Sequence, residues 1–252
     1  MSDATSAQAS QSVEVVIKAD EILELLREQG EMTVAQIATG VGEPRSSVYR
    51  LIATLEDMGF VEPGPRGGHQ LGLRLFTLGK LVASRLAIIP LARPAMQGLA
   101  ARTGESAFLM VRDGPRAVCL ERVDGSRVRS LAVDVGARVP LHVGAGPLAL
   151  LAFAGDEALE HALAEAVEPT GDAAVDPGEL RQTVTEVGER GYAISDGDPV
   201  PGMAEVGAPV RDAAGEVVAA LALSGARESV LGPGTEATVA AVLDAAASVS
   251  IP

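Results

Sequence analysis

The chain has 252 residues and a mass of 25.7 kDa, room for two ordinary domains rather than one small module. Its hydrophobic share of 47% and charged share of 21% exclude a disordered chain, and aromatics at 2% leave the cores to Ala, Val and Leu. A net charge of −14 excludes DNA binding by overall attraction, so any nucleic-acid contact has to come from a local patch.

Residues 1–13 open with MSDATSAQASQS, which has neither a basic start nor an apolar block. They are expected to form a disordered N-terminus and not a signal peptide. Val15, Val16, Ala19, Ile22, Leu23 and Leu26 then recur at helical spacing until Gly30. Thr33 to Gln36 is a capping-box pattern that starts a short second helix, ending near Gly40. After a three-residue turn, Pro44 suits the first position of a third helix, which runs through Val48, Leu51, Ile52 and Leu55 to Gly59. Phe60-Val61, a Gly/Pro turn at 64–68 and Gln70 to Leu73 read as a β-hairpin.

Three helices followed by a hairpin predict an all-α-plus-wing fold, a winged helix-turn-helix over residues 14–74. The face of the third helix away from Val48, Leu51 and Ile52 carries Arg45, Ser46, Ser47, Tyr49 and Arg50. Two arginines and two hydroxyls at a helix start suit phosphates and base edges. Thr33 at the start of the second helix and Arg66 and His69 at the wing complete the candidate DNA-binding set. Arg45, Arg50, Arg66 and Arg74 outnumber Glu56, Asp57 and Glu62 locally, so the patch is only weakly basic.

Residues 75–89 are expected to form a linker helix, with Leu75, Leu78, Leu81, Val82 and Leu86 as an apolar stripe able to serve a dimer. Pro90 and Pro94 mark the boundary of a second domain, 90–252. There a helix reaches about Arg102, and strands are predicted at 106–111, 117–122, 128–133, 191–195, 205–210 and 216–223. Helices are predicted from about Gly146, near 156–166 and 179–190, and from Thr235. This mixed order with tight turns predicts an α+β domain with an antiparallel sheet.

The blocks ILELLREQGEMTVAQIATGVGEPRSSVYRLIATLEDMGFVE (22–62), LGLRLFTLG (71–79), VPLHVGAGPLALLAF (139–153), ERGYAISDGD (189–198) and GAPVRDAAGEVVAALALSG (207–225) resemble the IclR family of bacterial transcriptional regulators in order and spacing. The resemblance spans about residues 14–250. It implies a DNA-binding winged helix, a linker helix and a GAF-like effector domain, acting as a dimer or tetramer that represses or activates transcription when a metabolite binds. By the same resemblance the effector pocket is walled by Val128, Leu131 and Val139, with Ala145 and Gly146 at a helix start. Ser195, Glu205, Ala222 and Ser224 complete it. The chain departs from the family pattern after His142, where a Lys is missing, at Glu205, where a Cys is frequent, and at Ala222, where a Ser is frequent. An ionised Glu205 facing inward would oppose a small carboxylate and favour a hydroxyl- or amine-bearing ligand, whereas a Glu205 that points out of the pocket or pairs with an arginine such as Arg129 would leave room for an anion.

Other patterns carry less. Gly144 to Ala149 matches GxGxxA, yet Pro140 and His142 precede it where a dinucleotide site needs a buried parallel strand. Cys119 between Val118 and Leu120 reads as a packed thiol, and one cysteine forms no internal disulfide. His69, His142 and His161 lack metal-ligand spacing. Asp196 and Asp198 read as solvated loop carboxylates. The longest uncharged stretch, Val139 to Gly155, is broken by Pro140, His142 and Pro147 and is too short for a membrane span. A cytoplasmic, metabolite-responsive DNA-binding regulator, repressor or activator, without cofactor, metal or catalytic residues is therefore expected, with operator DNA and a small effector as partners. The competing reading is a small-molecule-binding protein or enzyme whose N-terminal helices serve oligomerisation.

Overall fold

The computed structural model describes residues 3–127, 133–167, 176–197 and 200–251. The chain divides into two compact units, residues 1–86 and 87–252.

In the first unit, α1 (Asp3–Gln29) is followed by α2 (Val34–Gly40) and α3 (Arg45–Asp57). A two-stranded antiparallel hairpin, β1 (Val61–Pro63) and β2 (His69–Leu71), forms the wing, and α4 (Leu73–Ala83) follows it. Gly30 ends α1 in a left-handed conformation (φ 73°) that favours glycine. The Thr33 capping box forms: its backbone N–H donates to Gln36 Oε1 at 2.9 Å, while Thr33 Oγ1 accepts from the Gln36 amide at 3.4 Å. Ile22, Leu26, Ile37, Val48, Ile52 and Val61 make one core, so each helix contributes a single apolar face.

Three expectations shift here. Helix α1 begins at Asp3, so residues 3–13 belong to it instead of forming a loose tail; they contain no Gly or Pro to stop a helix growing backwards. Val15 and Val16 of the expected stripe are exposed, and among the described side chains α1 meets the core from Ala19 onward. Pro44 is the N-cap of α3 rather than its first residue, with ψ at 139°.

The expected linker helix over 75–89 does not run through. Helix α4 stops at Ala83, and the amides of Arg85 and Leu86 reach back to Val82 and Ala83 in tight turns. Pro90 lacks the N–H that would bond the Leu86 carbonyl, and its ring would collide with that carbonyl in a continuous helix. A new helix, α5 (Ile88–Thr103), starts instead, taking Pro90 into its first turn and Pro94 into its interior.

The second unit follows α5 with β3 (Ser106–Asp113), β4 (Arg116–Val123), β5 (Arg138–Pro140), α6 (Ala145–Leu151), α7 (Asp156–Val167) and α8 (Pro177–Arg190). Then come β6 (Ala193–Asp196), β7 (Met203–Arg211), β8 (Val217–Ala226), α9 (Arg227–Val230) and α10 (Thr235–Ala247). The six strands form one antiparallel sheet in the order β5-β4-β3-β8-β7-β6. Strand β5 and helix α9 were not expected; three and four residues are too short to show a period. Most of the strand expected at 128–133 lies outside the described residues.

The sheet separates two cores. Phe108, Met110, Cys119 and Ala222 face α6, α7 and α8, whose Leu148, Leu151, Leu163 and Val184 cover them. Leu109, Val206, Val210, Leu221 and Leu223 face α5 and α10 through Met96, Leu99 and Val242. Burial on both faces explains why β8 reads as a nearly unbroken apolar run. Helix α6 lies so close to β7 that a Cβ at Gly207 would stand 2.4 Å from the Ala145 carbonyl oxygen. No single helix among the described residues is long and apolar enough to cross a membrane.

Candidate functional site

Helix α3 turns Val48, Ile52 and Leu55 into the core, which leaves the opposite face outward. Arg45, Ser46, Tyr49 and Arg50 are exposed and Ser47 is half-buried. Among the described residues no side chain pairs with the Arg45 or Arg50 guanidinium, so both cations are available to an outside partner. Thr33 is exposed at the start of α2. The wing tip is Pro65-Arg66-Gly67, and Arg66 projects from it. His69 is set back at the first residue of β2, where its Nδ1 lies 2.9 Å from Glu56 Oε1 of α3. The turn between α1 and α2 supplies a residue that sequence reasoning missed: Glu31 accepts from the wing, and its partner lies 35 residues away.

In the second unit, strand register places Ser195, Glu205, Ser224 and Ser106 side by side across β6, β7, β8 and β3. All four are buried, forming a polar row within an otherwise apolar face. Glu205 Oε2 accepts the Ala145 N–H at 3.1 Å, so the protein's own carboxylate meets the first amide of α6. Beside it a cavity is lined by Phe108, Met110, Val133, Val139, Val143, Gly144, Pro147, Glu205 and Ala222. Its free volume is about 20 Å³, enough for a single water molecule.

Of the residues expected at this pocket, Val139, Glu205 and Ala222 line the cavity. Ala145 is fully buried above Glu205, and Gly146 packs α6 against the sheet, where a Cβ would come within 2.9 Å of Met110 Sδ. Ser195 and Ser224 flank Glu205 in the polar row without lining the cavity. Val128, Arg129 and Leu131 lie outside the described residues, as does Asp198. Phe108, Met110 and Ser106 were missed, although alternation along β3 from Ser106 puts all three on one face.

The remaining chemical candidates resolve in structural terms. Gly144 to Ala149 follows β5, an antiparallel edge strand, which does not present the parallel strand of a dinucleotide turn. Burial pushes the Cys119 thiol up to about 12, so it stays protonated at neutral pH and is no nucleophile. Asp196, expected to be a solvated loop carboxylate, ends β6 and grips Arg227 with two hydrogen bonds of 2.7 and 2.8 Å. Among the described residues no group of three or more His, Cys, Asp or Glu side chains could hold a metal.

Residues 80–251 match the family described as "Bacterial transcriptional regulator IclR C-terminal", and residues 15–65 match the "IclR helix-turn-helix domain". The chain is 30% identical to the HTH-type transcriptional regulator KipR of Bacillus subtilis, over 83% of this chain and 85% of that protein. It is 31% identical to the HTH-type transcriptional regulator XynR of Escherichia coli, over 84% and 86%. Among solved structures, an IclR transcriptional regulator from Alicyclobacillus acidocaldarius aligns with a TM-score of 0.75 and 28% identity, over 94% of this chain and 97% of that one. An IclR homolog from Microbacterium hydrocarbonoxydans, complexed with 4-hydroxybenzoate, aligns with a TM-score of 0.76 and 26% identity, over 93% and 97%.

Proposed function

The chain belongs to the IclR family of DNA-binding transcriptional regulators, and from that premise we propose that Thr33, Arg45, Ser46, Ser47, Tyr49, Arg50, Arg66 and His69 contact the operator. The observation that carries this reading is the outward polar face of α3 with its two unpaired arginines, which an assembly interface would leave unsatisfied. Residues 14–74 act as the DNA reader, α4 and the start of α5 as the linker, and 90–252 as the effector domain. The protein works as a regulator rather than an enzyme, in line with the names of its relatives, and in the cytoplasm, where its DNA is.

Few phosphate contacts per protomer call for a second copy, because one winged helix reads too few base pairs for useful specificity. Leu73, Phe76, Leu78, Leu81 and Val82 of α4 are exposed together and form the first candidate for a homodimer contact, on which a tetramer could build. Sedimentation of the Leu81→Asp variant checks this: it should shift the chain toward monomer.

The effector enters next to Glu205 and widens the cavity there. The relative from Microbacterium carries 4-hydroxybenzoate, an anion. In this chain the Glu205 carboxylate already takes the α6 amide that would otherwise attract an anion. A hydroxyl- or amine-bearing ligand that bonds Glu205 therefore fits better than a small carboxylate, with Val128, Leu131, Val139, Ala145, Gly146, Ser195, Ala222 and Ser224 around it. Gel shift with DNA upstream of the protein's own gene, at two salt concentrations, tests the DNA reading. Salt-sensitive retention is expected, and failure to retain that DNA at the lower salt would overturn it.

A further inference from the structure

The wing is built around one acidic side chain from outside it. Glu31 Oε1 accepts the backbone N–H groups of Arg66 at 2.8 Å and Gly68 at 2.9 Å, while Glu31 Oε2 accepts Arg66 Nε–H at 3.0 Å. The Glu31 side chain is 5% exposed, whereas that of Arg66 is 78% exposed. The turn's glycines make room for this contact: a Cβ at Gly64 would stand 2.3 Å from Glu31 Cδ, and one at Gly68 would stand 2.8 Å from the Met32 carbonyl oxygen. Next to it, Met32 and His69 exchange both backbone hydrogen bonds, at 3.0 and 2.7 Å. The end of α1 is thus stitched to the wing by main chain and side chain together. Burial alone would raise the Glu31 carboxyl, but the N–H groups of Gly68 and Arg66 and the guanidinium charge outweigh it and hold it below the usual carboxylate range.

We propose that Glu31 is a positioning residue for DNA binding: it locks the wing turn and grips Arg66 through Nε, leaving the outer edge of the guanidinium to take a backbone phosphate. The inference rests on the DNA-binding reading above. An arginine has five N–H donors in a rigid fork, so one carboxylate can hold the Nε side while both terminal nitrogens serve a phosphate. Holding the side chain beforehand removes rotamer entropy that a free arginine would lose on binding.

The sign of one substitution separates positioning from plain electrostatics. Glu31 carries a carboxylate beside the arginine that would meet a polyanion, so if it only repelled DNA, removing its charge would tighten binding. If it positions Arg66, removing its charge weakens binding. The experiment is fluorescence anisotropy on the full-length chain, with a duplex from upstream of its own gene and a scrambled duplex of equal length, over a salt series. Glu31→Gln is expected to weaken both duplexes about tenfold, because a phosphate contact carries no sequence information. Arg66→Ala should do the same and reduce the salt slope by about one. The double variant should bind no more weakly than Arg66→Ala alone.

Arg66→Lys keeps the charge without the fork and should stay close to Arg66→Ala. This variant leaves the Glu31 bonds to the backbone in place, so it decides the matter even if Glu31→Gln unfolds in a circular dichroism melt. Binding by Glu31→Gln as tight as or tighter than the unmodified chain, additive losses in the double variant, or full binding by Arg66→Lys overturns the inference alone. An unmodified chain that binds neither duplex overturns the DNA reading and this inference with it.

Discussion

The outer face of α3 and the polar row beneath α6 handle charge in opposite ways. Arg45 and Arg50 stand in solvent, and no side chain among the described residues pairs with them. Glu205 is buried, and its carboxylate meets the Ala145 amide. Two charges 4 Å apart interact by about 1 kcal/mol in water and by about 4 kcal/mol at an effective dielectric of 20. Exposed arginines therefore act by number and by release of counterions from a polyanion, and an individual contact is weak and salt-sensitive. An enclosed carboxylate interacts more strongly with any single charge brought near it. The first arrangement suits a large partner with repeating charge, the second the compact ligand proposed above.

The contrast breaks most directly on the DNA side. Replacing both Arg45 and Arg50 by Ala should cost about 1–3 kcal/mol for each side chain that reads a base, together a loss on the order of a hundredfold in operator affinity. Anisotropy titration measures it, and unchanged binding would remove α3 from the interface. In the second unit, Gly207→Ala puts a methyl against the Ala145 carbonyl, so backbone must move and α6 must shift off β7. A destabilisation of about 2 kcal/mol is expected in chemical unfolding, with the N-terminal unit unaffected in its own transition.

Glu205→Gln keeps the shape of the row and removes its capacity to carry a charge. A two- or three-carbon acid should then gain roughly 1 kcal/mol of affinity, read by calorimetry, while a neutral polyol gains none. Equal affinity of that acid for both proteins would mean that the buried charge does not select the ligand. The smallest effect concerns Cys119, whose thiol is pushed by burial up to about 12 from an ordinary value of 9.0. A raised acid loses stability as pH climbs, because the unfolded chain releases its proton first. Stability is full well below pH 9 and about 0.4 kcal/mol is lost at pH 9, a decline that Cys119→Ala should lack in pH-dependent denaturation.

The DNA-reading unit was legible from local pattern to an unusual depth. Helix α3 has one apolar face, so Val48, Ile52 and Leu55 identify by elimination the residues that point outward. The capping box at Thr33 and the stop at Gly30 are likewise contained in a few consecutive residues. The effector unit was legible as strands and helices, but less as a site. Helix α6 is buried on every side, so no periodicity marks the residues at its start. Residues 3–13 differ from expectation because polar composition without Gly or Pro reads the same in a loose tail and in a helix.

What the sequence determined by itself was set by short-range rules: helix periods, caps, turns, the fold class and the family to which the chain belongs. Tertiary structure alone decided which distant groups meet. Glu31 reaches Arg66, Glu56 reaches His69, and Ser195, Glu205, Ser224 and Ser106 fall into one row only after β6, β7, β8 and β3 pair in register. Pro90 could be seen in the sequence, but where the helix before it would end depended on which carbonyls were left to accept. Hydrogen bonds and charge pairs act over a few ångströms of space with no memory of separation along the chain, so pattern within a window cannot contain them.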